Sequence, residues 1–101
     1  MSYASNLSDR ARKEISEAWA WYEDRLPGLG DRFTEAIFKK IKQIESEPTK
    51  GLQRKNAFRE VLVKVFPYLI IYRIETKKKE IFVHSIFHTS RNPRKKYGNK
   101  K

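Results

Sequence analysis

A chain of 101 residues supports one domain with a single modest core. It has no cysteine, which excludes disulfides, thiolate metal sites and a cysteine nucleophile; its two histidines stand in different settings, so no metal and no other cofactor is expected. The net charge of +11 is concentrated in the second half: residues 1–48 hold eight Lys/Arg against nine Asp/Glu, residues 49–101 fifteen against three, a field that attracts phosphates or an acidic protein without choosing between them.

No run approaches the roughly 18 apolar residues of a membrane span. The first twenty residues include Asp9 and Glu14 and lack the apolar centre of a secretory signal. A cytoplasmic protein without membrane contact is therefore expected. Tyr3 to Leu7 reads as a weak strand. Ser8 offers a hydroxyl cap and Asp9 a negative charge in the first turn, so a helix starts near Asp9. Ala11, Ile15, Ala18, Trp19, Tyr22 and Leu26 recur at spacings of three and four and line one face, until "LPGLG" at 26–30 turns the chain. A second stripe, Phe33, Ile37, Ile41 and Ile44, runs to Pro48 and completes a helical hairpin.

After a polar loop around Gly51 the composition changes. Phe58–Phe66, Tyr68–Glu75 and Glu80–Phe87 are rich in Val, Ile, Phe and Tyr, and "TKKK" at 76–79 has a length suited to a hairpin. The predicted fold class is α+β: an N-terminal helical hairpin packed on an antiparallel sheet of three strands, or four if the N-terminal strand joins. Residues 88–101 read as a basic tail, and the whole of 1–101 as one domain.

This order of elements, with "WYE" at 21–23, "PGLG" at 27–30, "FPYLIIY" at 66–72 and the His88-x-x-Arg91 spacing, resembles the RelE/ParE toxin superfamily of bacterial toxin–antitoxin systems over nearly the whole chain. The resemblance implies a small toxin neutralised by a cognate antitoxin. It further implies one of two targets: DNA gyrase, which is inhibited by binding, or the ribosome and its mRNA, where the toxin is an endonuclease. The centre of the sheet carries "PY" and apolar groups where RelE-like members tend to place a basic residue, which moves the likeness toward ParE-like members.

Metal-free RNA cleavage requires proton donors and acceptors together with cations that hold the charge developing on the phosphate. Arg59 and Arg91 offer bidentate guanidinium groups, His88 an imidazole able to exchange a proton, and Tyr68, Tyr72 or Tyr97 a stacking ring. Arg59, His88 and Arg91 are thus the candidate catalytic residues. Convergence of the three would favour a nuclease, and dispersal a toxin that binds a protein. Each has a structural reading too. Strict alternation puts His88 on the side of Ile86, His84 and Phe82, where it can be a hydrogen-bonded edge residue, and Arg59 beside Val61, Val63 and Val65 at the end of a core-facing row. Phe38 points roughly 100° from its helix's stripe and Trp21 about 60° from its own. With Tyr97 in the tail, they are the candidate partner-binding residues. A nucleic-acid-binding module without toxicity is a lesser reading, carried only by the charge of the second half.

Overall fold

The computed structural model describes residues 3–97. Its elements are β1 (Ala4–Leu7), α1 (Asp9–Arg25), α2 (Leu29–Ser46), β2 (Leu52–Gln53), β3 (Arg59–Val63), β4 (Tyr68–Glu75) and β5 (Glu80–His88). The sheet has five strands in the order β1-β5-β4-β3-β2. Every pairing is antiparallel except that of β1 with β5. The expected α+β architecture is present, with two strands beyond the three read from composition. The N-terminal strand does join, but in parallel, because the chain reaches β5 only after crossing through the helices. Leu52–Gln53 is too short to show a period of two in the sequence and is seen only through its pairing with Glu60 and Arg59.

Each turn of the helical hairpin has a side chain that sets it. The Ser8 hydroxyl accepts the Ala11 N–H at 2.9 Å and donates to the His84 carbonyl at 2.7 Å, so the helix cap also ties α1 to β5. At the other end Gly28 adopts φ of 90°, a conformation that L residues rarely take. The Glu23 carboxylate accepts the N–H groups of Gly28 at 2.8 Å and Gly30 at 3.0 Å, satisfying donors that the start of a helix leaves open. A Cβ on Gly30 would stand 2.7 Å from the Trp19 carbonyl oxygen, so glycine permits the close approach of α2 to α1. The "WYE" and "PGLG" pieces are therefore two halves of one turn.

Phe33, Ile37, Ile41 and Ile44 of α2 and Ala11, Ile15 and Ala18 of α1 are buried, as their spacing predicts. They cover Val63, Tyr68, Ile70, Tyr72, Ile81, Val83 and Ile86 on one face of the sheet. Tyr22 is partly buried, its ring forming a triangle with Phe33 at 5.3 Å and Phe66 at 5.0 Å. Three apolar residues depart from the expected burial. Trp19 remains 38% exposed at the rim of the hairpin, where its indole N–H donates to Asp31 at 2.9 Å. Leu26 lies past the end of α1 in extended backbone and is exposed. Val65 is 76% exposed because β3 stops at Val63 and residues 64–67 form a turn, which shortens the expected 58–66 strand.

The opposite face carries a smaller cluster of Phe58, Ile71 and Phe87. Asn92 caps a turn at Pro93–Lys95, and the chain then folds back against this face instead of continuing as a free tail through Tyr97. Residues 98–101 of the predicted tail lie outside the described residues.

Candidate functional site

One irregularity decides which face each histidine serves. Ile71 of β4 stands opposite Ser85, but Tyr72 stands opposite Val83, so β5 holds one extra residue at this point. The bulge switches the alternation. Ile81, Val83 and then Ile86 face the helices, whereas His84 lies over the other face with its ring 4.8 Å from that of Phe58. Strict alternation had put His84, Phe82 and His88 on one side; His88 does share a side with Ile86, but the bulge parts both from His84.

His84 is enclosed beneath the folded-back segment, and its Nε2 lies 3.1 Å from the Lys96 carbonyl oxygen. Burial lowers its pKa, and the Arg10 charge lowers it further. His88 ends β5 on the helix side. Its ring meets Tyr68 edge-on at 5.0 Å, and its Nδ1 accepts the Ser90 N–H at 3.0 Å, with the Ser90 hydroxyl at 2.8 Å. A backbone N–H can only donate, so Nδ1 is an acceptor and Nε2–H is the ring's remaining polar group.

His88 and Arg91 line the same cleft, a cavity of about 580 Å³ bounded by α1 on one side and by the ends of β4 and β5 on the other. Glu14, Glu17, Ala18 and Trp21, at helical spacings of three and four, form the α1 wall. Pro67, Tyr68 and Ile86 form the sheet wall. Burial raises the pKa of the Tyr68 phenol, and the neighbouring Tyr22 raises it further, so Tyr68 serves as a neutral hydroxyl. Trp21 is 53% exposed and carries the Arg25 guanidinium 3.7 Å from its ring centre.

Glu14 organises the end of this cleft. β1 stops at Leu7 and leaves the edge of β5 uncovered, and Glu14 Oε1 takes up the Ile86 N–H at 2.9 Å and the Ser85 hydroxyl at 2.8 Å. Its other oxygen receives Arg10 at 3.1 Å and Arg91 at 2.9 Å. Arg91 also lies over Phe87, 5.0 Å from the ring centre. The sequence reading did not single out Glu14. The signal was an acid at position 14 on the same helical stripe as Ala11 and Ala18, where an unpaired carboxylate would be costly.

The remaining candidates are placed elsewhere. Arg59 begins β3, opposite Tyr72, while His88 is opposite Tyr68. They are thus separated by four residues of sheet, roughly 13 Å along the strand. The Arg59 guanidinium donates to the carbonyls of Thr49 at 3.0 Å and Gly51 at 2.9 Å, and Tyr72 supports the same loop by donating to the Pro48 carbonyl at 2.6 Å. Tyr97 stacks on Phe58 at 5.3 Å and hydrogen-bonds to the buried Glu60, which also receives Lys96 and Arg54. Phe38 is 42% exposed on α2. Of the six candidates, His88, Arg91 and Trp21 line this cavity and the other three do not.

Likeness to known proteins agrees with this architecture. The structure is similar to that of the chromosomal ParDE toxin–antitoxin system from P. aeruginosa, with a TM-score of 0.75 at 14% identity, over 86% of this chain and 96% of that one. It is also similar to the intact E. coli RelBE toxin–antitoxin complex, with a TM-score of 0.67 at 19% identity, over 89% and 100% of the two chains. A third neighbour, the RelBE2 complex from Mycobacterium tuberculosis, has a TM-score of 0.61 at 18% identity, over 87% and 99%. Comparison with curated proteins finds no match. Among the described residues no helix is long and apolar enough to cross a membrane. Residues 6–93 match the family described as the ParE toxin of the type II toxin–antitoxin system parDE, and with most of its length accounted for, the chain belongs to that family and is a ParE/RelE-type toxin of a toxin–antitoxin system.

Proposed function

We propose that this toxin acts in the cytoplasm by binding and inhibiting a protein target, DNA gyrase, and that it is neutralised by an acidic cognate antitoxin. The observation that carries this reading is the separation of the basic groups. Arg59 holds the 49–51 loop from the start of β3, two strands away from His88 and four residues further along the sheet, Arg91 is paired with Glu14, and the cleft that contains His88 has two carboxylates in its wall. Among the described residues, the one cation lining the cleft beside His88 is Arg91, already engaged by Glu14, and Glu17 adds a carboxylate, an arrangement poorly suited to stabilising the charge that develops on a phosphate during cleavage. The cleft is instead lined with aromatic and apolar surface of the kind that protein partners cover. The charge of residues 49–101 suits an acidic antitoxin and predicts an association rate that falls as salt is added.

The test is induction of the toxin in cells and with purified gyrase, scoring DNA supercoiling and DNA damage against transcript cleavage. Inhibition of supercoiling with intact transcripts is expected. In the same assays His88→Ala should lose part of its potency; a fall of roughly a hundredfold in a transcript-cleavage rate would identify His88 as a proton donor and the protein as a nuclease.

A further inference from the structure

We infer that the cleft between α1 and the end of β5 is a receptor for a guanidinium group, an arginine side chain projecting from the protein that the toxin inhibits. This inference rests on the protein-target reading and specifies the chemistry of the contact. Three features of the cleft point to a cation. Glu17 lines it without a hydrogen-bond or ion-pair partner among the described residues, whereas Glu14 beside it is already matched by Arg10, Arg91, Ser85 and the Ile86 N–H. One carboxylate in the cleft is thus uncompensated. Trp21, Tyr22 and Tyr68 also line the cleft, and an aromatic face attracts a cation.

Trp21 already demonstrates this property within the chain, since Arg25 stacks on it at 3.7 Å. Glu17 and Trp21 are four residues apart on one helix, so the carboxylate and the ring lie side by side along the same wall. A planar guanidinium can stack on an aromatic face and donate to a carboxylate at once, which a compact ammonium does less well. The cleft is large enough for a side chain and small for a folded element, and Ser90 and Arg91, which line it, lie just past the end of β5. A phosphate is the contrary candidate, because His88 and Arg91 are present, but Arg91 is engaged by Glu14, and the lining carboxylate without a partner among the described residues is Glu17.

The experiment uses the whole toxin and three small probes: N-acetyl-arginine amide, the uncharged N-acetyl-citrulline amide, and inorganic phosphate. The Trp21 indole N–H resonance is followed by NMR, with Trp19, already bonded to Asp31, as an internal control. A saturable shift with the arginine probe, at least tenfold weaker with citrulline and in Glu17→Gln, is expected. Equal binding of citrulline, no shift at all, or a shift produced by phosphate instead would overturn the assignment. Glu17 is exposed and unpaired, so Glu17→Gln should fold normally, and thermal melting checks this. A second arm measures growth after induction of the toxin without antitoxin. Glu17→Gln should need about tenfold more toxin for the same arrest, and unchanged potency would show that the target does not use this cleft. The probe arm does not depend on toxicity, so its result separates failure of this inference from failure of the gyrase reading.

Discussion

The two faces of the sheet each hold a buried or nearly buried glutamate, a tyrosine, a histidine and basic side chains, yet they do opposite things with them. On the face away from the helices, Glu60 is surrounded by Tyr97, Lys96 and Arg54, and Phe58 packs against the rings of both Tyr97 and His84. Glu60 and His84 there hold the chain's own C-terminal turn through Tyr97 and Lys96. On the helix side, Glu14 is equally saturated, but next to it Glu17, the His88 Nε2–H and the exposed ring of Trp21 border an open cleft. The lesson is that residue type does not separate structural from functional chemistry in this small basic protein. What separates them is whether the chain itself supplies all the partners.

That comparison can be broken most directly at the two glutamates. Glu14→Ala leaves the Ile86 N–H and the Ser85 hydroxyl without their acceptor and frees two arginines, and it should cost about 3 kcal/mol in urea denaturation. Glu60→Ala should cost a similar or slightly smaller amount, because its partners Lys96 and Arg54 can turn to water. It should also expose residues 92–97 to limited proteolysis. If either variant melts like the parent, the clamp described on that face does not contribute to stability.

A smaller effect contrasts the two arginines. Arg59→Ala removes a donor from the carbonyls of Thr49 and Gly51 and should lower stability by about 1–2 kcal/mol while leaving toxicity in place. Arg91→Ala should do the reverse. Its guanidinium is substantially exposed, so its loss should cost less than about 1 kcal/mol, but it should weaken growth arrest because it lines the cleft. Melting temperature and survival after induction, measured on both variants, decide between this division and a shared catalytic role.

The smallest effect is a pH dependence from the closed face. Burial and the Arg10 charge hold the His84 pKa below its ordinary value of 6.5 in the folded protein. The unfolded chain therefore binds this proton first as pH falls, and stability declines with acidification from about pH 6.5 until the folded value has been passed. His84→Gln should melt with a flatter dependence between pH 7 and 5 than the parent. An identical slope in both proteins would remove His84 from the account.

Much of this molecule could be read along the chain because its helices obey a local rule. Burial at Ala11, Ile15, Ala18, Phe33, Ile37, Ile41 and Ile44 follows from spacing, since a helix fixes which residues share a face without reference to the rest of the fold. The turn at 26–30, the cap at Ser8, the existence of β4 and β5 and the resemblance to RelE/ParE toxins were legible for the same reason: each depends on residues a few positions apart. The exposure of Trp21 and Phe38 belongs with them, as both lie off their stripes.

What the tertiary structure alone decided depends on pairings between distant segments. The bulge at His84–Ser85 is invisible in a run of apolar and aromatic residues, yet it turns His84 and His88 to opposite faces. The parallel partnership of β1 with β5 leaves a strand edge exposed beyond Leu7, and only that edge explains why an acid at position 14 is needed. Tyr97 and Glu60, 37 residues apart, meet because the C-terminal turn folds back over the sheet. Arg59, His88 and Arg91 look alike as charges at strand ends, but strand order and register place Arg59 two strands away from His88 and four residues further along the sheet. Sequence determines which groups are available, and register and connectivity, which no local pattern encodes, determine which of them the fold has already used.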